Sequence, residues 1–166
     1  MDPKDYDPPG SLSFLELINS SFNFFREANS FEDFVHRIGP QNLADVTELP
    51  EFKLMEVADP LPPGFLQRVY QFLDPNLGRG VIDIAFHNDE LVNLRSQLFF
   101  KGWFAKKKAR KYLRNVLIPS YQEMFGEPAE KGTDYSTFIS SGLQGVARYV
   151  PGTISLSAYL TDERYL

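Results

Sequence analysis

Cysteine is absent from the 166 residues. That excludes a disulfide framework, a thiol nucleophile, a Cys-ligated iron–sulfur cluster and a Cys-type zinc site. Histidine is nearly absent: His36 and His87 stand far apart in the chain, so a multi-His metal centre would need symmetric assembly or carboxylates recruited from elsewhere. No metal or other cofactor is expected. Long uncharged apolar runs are missing, and no stretch approaches the length of a bilayer span. The acidic, proline-rich start, MDPKDYDPPGSLS, lacks the basic and apolar regions of a secretory signal. A cytoplasmic protein with no membrane partner is therefore expected. Signature motifs are missing as well: there is no G-x-S-x-G elbow, P-loop, G-x-G-x-x-G turn, HEXXH helix or EF-hand loop.

What is present is an apolar content of 43% with fifteen Phe and eight Tyr, enough for one domain with a large aromatic core. The expected organisation is one domain over residues 1–166, with residues 1–12 a flexible segment. Ser13 with Glu16 marks a helix start, and Phe14, Ile18, Phe22 and Phe25 then form a helical stripe running to about Ala28. Asn29 or Ser30 caps a second helix through SFEDFVHRIGP, with Asp33 near its positive end and Gly39–Pro40 ending it. Residues 41–63 are broken by Pro50, Pro60, Pro62 and Pro63 into loops, with one extended piece around Phe52 to Val57. GFLQRVYQFLD reads as a third helix, stopped at Asp74–Pro75.

The period then changes to two. Ile82, Ile84 and Phe86 alternate with Val81, Asp83 and Ala85, and a turn at His87 to Asp89 leads into a second strand through Val92, Leu94, Leu98 and Phe100. A long helix follows from about Gly102 to Phe125, kinked or divided by Pro119 near Ile118. TDYSTFIS, LQGVARYV and TISLSAYL complete the pattern as strands. The fold class is α+β: N-terminal helices, then β-β-α-β-β-β forming an antiparallel sheet packed by a long helix.

Charge is unevenly placed. Residues 1–60 carry twelve Asp or Glu against four Lys or Arg, whereas KGWFAKKKARKYLR, residues 101–114, holds seven basic side chains and no acid. On a helix, Lys106, Arg110 and Arg114 fall in one row and Lys107 and Lys111 in another, beside an apolar line through Ala105, Ala109 and Tyr112. A solvated helix face, with charged stems lying over apolar surface, is the favoured account. A protein-partner patch is a second account. Nucleic acid is a third, with Trp103, Phe104 or Tyr112 available to stack on bases, but the acidic balance elsewhere and the lack of a known reading motif weigh against it.

Catalytic groups are few. His87 beside Asp89 and Glu90 is the best candidate for proton transfer, although His, Asn and Asp are ordinary turn residues. Asp83 and Glu90 on neighbouring strands could form a carboxylate pair of the glycosidase kind. His36, near a helix C-terminus, suits dipole compensation better than ligation. No catalytic residue is assigned, and an enzyme using His87 with nearby acids is kept as an alternative.

The C-terminal half, a long helix ending YQEMFGEP followed by YSTFIS, GVARYV and TISLSAYLTDERYL, loosely resembles small bacterial cytosolic immunity proteins of contact-dependent and secreted-toxin systems. The likeness spans Lys101 to Leu166 and rests on element order. It implies a non-enzymatic protein that neutralises a cognate protein toxin, commonly a nuclease with a basic substrate-binding surface. An acidic partner could compete there through charge. The residues nominated for such a contact are Asp45, Glu48, Glu51, Glu56 and Asp59 in the Pro-broken segment, with Asp83, Asp89 and Glu90 around the hairpin. A secretion chaperone or adaptor is another reading, as is a nucleic-acid-binding protein using the Lys101–Arg114 helix.

Overall fold

The computed structural model describes residues 7–25, 27, 30–49 and 63–165. Two helices come first. Helix α1, Phe14–Phe24, begins at Ser13, whose Oγ accepts the Glu16 N–H at 3.3 Å. It buries Phe14, Leu17, Ile18, Phe22 and Phe24, so both phenylalanines of its last turn face inward. The helix ends sooner than its stripe suggests, because Phe25 already serves as its C-terminal cap. Helix α2, Phe31–Ile38, carries a reciprocal capping box between Ser30 and Asp33 and closes on Gly39 at φ 90°.

The segment expected to be flexible is partly fixed. The Leu12 N–H donates to the Leu73 carbonyl at 2.8 Å, and Asp7 pairs with Arg79 at 2.7 Å.

Among the described residues, eight strands form one antiparallel sheet in the order β1-β2-β3-β4-β8-β7-β6-β5. They are β1 Ala44–Asp45, β2 Phe65–Asp74, β3 Gly78–His87, β4 Glu90–Phe99, β5 Glu130–Lys131, β6 Tyr135–Ser140, β7 Leu143–Val150 and β8 Ser155–Asp162. The segment read as a third helix is β2, which pairs with β3 along its whole length, from Phe65 opposite His87 to Asp74 opposite Gly78. The physical reason is that both faces of β2 are covered. Tyr70 and Phe72 enter the main core, while Gln67, Val69 and Gln71 are buried on the opposite face. Two buried faces erase the apolar/polar alternation by which a half-exposed strand announces itself. The extended piece expected around Phe52 to Val57 lies outside the described residues.

The β3–β4 hairpin turns on Asn88 and Asp89, at φ 49° and 64°, the left-handed pair that a tight two-residue turn requires. After β4 comes the long helix in three pieces: α3 Ala105–Tyr112, a wider π turn over Leu113–Leu117, and α4 Ile118–Phe125. Pro119 sits in the first turn of α4. It has no N–H for the carbonyl one turn back and its ring crowds that carbonyl, so the irregularity just before it accommodates the ring without ending the helix.

All the helices contribute to one core on a single sheet face, with Tyr70, Phe72, Ile82, Ile84, Leu94, Leu98, Leu156 and Leu160 beneath them. Tyr121 is fully buried there and its hydroxyl donates to the Tyr159 carbonyl at 3.0 Å. Gly145 makes this approach possible: a Cβ at that position would stand 2.8 Å from both Tyr121 and Phe125. The opposite face carries a smaller cluster of Val46, Val69 and Val81.

Candidate nucleic-acid interface

The basic stretch begins where β4 runs out. Phe100 is buried, and the chain then turns sharply, with Gly102 at φ 89° and Phe104 at φ 65°. A left-handed conformation is unfavourable for a bulky aromatic residue. Here it places Phe104 at the N-cap of α3, 68% exposed, next to Trp103 at 84%. The two rings meet edge to face, centroids 6.3 Å apart. Two large aromatic side chains in contact with each other and with water have given up burial that the core could have supplied.

Helix α3 then turns Ala105 and Ala109 inward, which leaves the basic residues outward. Asp134 alone holds two of them, at 3.2 Å from Arg110 and 3.1 Å from Arg114, and the Arg110 guanidinium also lies over the Tyr149 ring at 4.8 Å. Lys101, Lys106, Lys107, Lys108 and Lys111 form no ion pair among the described residues. The surface is grooved on both flanks of the helix. Phe104, Lys106, Lys107, Arg110 and Arg114 line one concavity of about 570 Å³. Lys101, Lys108, Arg79, Phe100 and Tyr112 line the other, of about 640 Å³. Burial, reinforced by the charge of Asp74, pushes the Tyr112 phenol up to about 12. A positive groove flanked by exposed rings is the arrangement that single-stranded nucleic acid binds, phosphates to the cations and bases to the rings.

The nominated acids are dispersed. Asp45 is exposed and accepts the Thr47 N–H at 2.9 Å and the Thr47 hydroxyl, so it shapes its own turn. Glu48 is exposed. Glu51, Glu56 and Asp59 lie outside the described residues. Asp89 is a turn residue, and Glu90 pairs with Arg164 at 3.1 Å. Asp83 requires a correction: it is 0% exposed and accepts both Gln67 Nε2 hydrogen bonds, at 2.9 and 3.0 Å, so it is no surface contact. Asp45 lies opposite Tyr70 and the hairpin turn lies beside Phe65, five residues further along β2, or about 16 Å of strand.

The catalytic candidates do not converge. His87 places Nδ1 2.5 Å from the Tyr165 hydroxyl, stacks on Phe65 at 4.4 Å and has Asn88 at its other nitrogen, so its partners exclude Asp89 and Glu90. Glu90 lies opposite His87, four residues along β3 from Asp83. That separation, about 13 Å along the strand, exceeds what either glycosidase geometry uses. No group of three or more His, Asp or Glu suited to a metal occurs among the described residues, and no described helix is long and apolar enough to cross a membrane.

No family model, curated protein or solved structure matches this chain. Its chemistry has to be read from its own residues. Sequence reasoning offered Trp103, Phe104 or Tyr112 as stacking partners of the basic helix but favoured a plain solvated face, without anticipating that Trp103 and Phe104 are both exposed beside the lysines. The only signal for it is the glycine before them, which permits the turn. It also missed a group on the other sheet face, Arg95, Arg148 and Tyr159, which only strand register brings together.

Proposed function

We propose that this chain is a non-enzymatic binding protein that holds single-stranded nucleic acid on the outer face of α3. The observation that supports this reading is the shared surface of Trp103 and Phe104 with five lysines that have no carboxylate partner among the described residues. Each base stacked on an aromatic ring contributes about 1–3 kcal/mol, and each phosphate neutralised releases counterions, with a slope in log affinity of roughly −0.7 per contact on a single strand. Five lysines then set a slope of about −3.5. The acids elsewhere repel phosphate and confine the polymer to this face.

Trp103 is the single tryptophan, so its fluorescence reports on this surface alone. Titration with oligo(dT) at two salt concentrations is expected to quench the emission, with affinity falling steeply as salt rises. Because Trp103→Phe removes that reporter, the variants are compared by the anisotropy of fluorescein-labelled oligo(dT): parental affinity in both Trp103→Phe and a combined Lys106→Gln, Lys107→Gln variant would refute the proposal.

A second reading, neutralisation of a protein toxin, draws on the exposed Asp45, Glu48 and Asp89, which form no ion pair among the described residues. A basic partner captured stoichiometrically, with affinity lost on neutralising these acids and unaffected at Trp103, would favour it over the first.

A further inference from the structure

On the sheet face turned away from the helices, three strands bring two arginines to one tyrosine. Arg95 of β4 lies directly opposite Tyr159 of β8, and Arg148 of β7 lies opposite Ser157, two residues along β8 from Tyr159. The guanidinium carbons sit 4.7 Å and 5.6 Å from the same Tyr159 ring centroid. Arg95 Nη2 also approaches the phenol oxygen at 3.3 Å. Among the described residues neither arginine forms an ion pair, and the Nε atom of each is buried without a hydrogen-bond partner. Asp83, directly across from Arg95, turns its carboxylate to Gln67 and makes no ion pair with it.

Guanidinium groups remain charged at every accessible pH, so this face holds two positive charges beside one ring, neither in an ion pair with a described carboxylate. Arginines without acids are rarely gathered this closely unless an anion completes them, since like charges repel and orphaned donors are unfavourable. Both side chains and the tyrosine are only partly buried, which leaves them within reach of a ligand. The phenol registers the field: burial alone would raise its pKa, yet hydrogen bonds from Arg95 and Ser157 and the charges of Arg148 and Arg95 outweigh it, and Tyr159 is held below its ordinary value.

We propose that Arg95, Arg148 and Tyr159 form a site for a phosphate-monoester dianion. Two guanidinium forks match two negative charges and several acceptor oxygens, where a carboxylate would satisfy one fork and leave the other charge uncompensated. A phosphodiester, with one charge, is matched less well. The site is therefore distinct in chemistry, as in position, from the lysine surface on α3, and each can fail without the other.

Tyrosinate absorbance supplies the test, with Tyr159 assigned by difference from Tyr159→Phe. On the unaltered protein, phenyl phosphate is expected to raise the Tyr159 midpoint relative to chloride at equal ionic strength, because the bound dianion cancels the field of the arginines. Acetate should leave the midpoint with chloride. Arg148→Gln should weaken phenyl phosphate by between about tenfold and a hundredfold, the loss expected for a charge-assisted hydrogen bond, with Arg148→Lys between it and the parent. A midpoint that phenyl phosphate does not move would overturn the site. Equal displacement by acetate would overturn its assignment to a dianion, and displacement by inorganic phosphate alone its assignment to a monoester. The first readout needs no substitution, so a variant that failed to fold would not silence it.

Discussion

Asp74 joins three backbone donors that would otherwise be left over where α1 meets the sheet. Its Oδ2 accepts the Phe14 N–H at 2.8 Å, and its Oδ1 accepts those of Asn76 and Leu77 at 2.8 and 3.0 Å. The side chain is buried, and Phe14 belongs to the first turn of α1, where no intrahelical carbonyl is available. Replacing Asp74 with Asn keeps the size but offers one acceptor oxygen and one donor group. If the oxygen stays with the turn, the amide confronts the Phe14 N–H, donor against donor; if it flips, both turn N–H groups lose their partner. The less damaging choice forfeits the buried bond to Phe14, together with a carboxylate at the positive end of the helix. We expect Asp74→Asn to destabilise the fold by about 2–3 kcal/mol. For a chain of this length that is a fall in Tm of roughly 4–12 °C. Urea unfolding should show a lower midpoint at unchanged slope, and hydrogen exchange should show protection lost first at the Phe14 amide. A variant within about 0.5 kcal/mol of the parent, with Phe14 still protected, would refute the assignment of these bonds.

Gly145→Ala should cost about 1–3 kcal/mol by denaturant unfolding, because the new methyl would meet the stacked Tyr121 and Phe125 rings at 2.8 Å. Alkaline titration should destabilise the protein above pH 10. Burial raises Tyr70 and Tyr112 to about 12 and Tyr121 further, so the stability tied to their protonated forms is full below pH 10 and is lost as pH rises through the folded values. Tyr159, lowered, acts in the opposite sense, and Tyr121→Phe should make the alkaline decline shallower in circular dichroism taken against pH. Trp103, 84% exposed, should emit as a solvated indole and be quenched by acrylamide almost as readily as free tryptophan. A shielded, blue-shifted emission would show the ring covered.

Local signals in the sequence carried well into structure. Ser13 and Ser30 cap helices because a short hydroxyl side chain can reach the free N–H groups of a first turn, which requires nothing beyond neighbouring residues. The β3–β4 hairpin was legible for the same reason, through Asn88–Asp89. β2 was not, since its apolar residues serve two layers and imitate a helical stripe. Asp83 was misjudged with it: alternation placed it on the polar face of β3, but that face is covered at this point and the carboxylate is buried against Gln67. The candidate site divides along the same line. The basic row of α3 could be read from spacing, while the outward set of Trp103 and Phe104 depends on one left-handed residue. Arg95 and Arg148 lie far apart in the chain, and meet at Tyr159 only because β4 and β7 both flank β8.

The strand order has a consequence for how the molecule is made. Among the eight described strands β8 comes last in sequence, yet it takes the middle of the sheet, between β4 and β7. During synthesis the early strands must therefore wait with the β4 edge unpaired, a row of free N–H and C=O groups open to any other extended chain. Closure comes only when β8 arrives and joins two half-sheets that cannot meet without it. A chain cut short before Ser155 would be left with two raw edges where the finished protein has an interior seam, and such fragments should be sticky out of proportion to the few residues they lack.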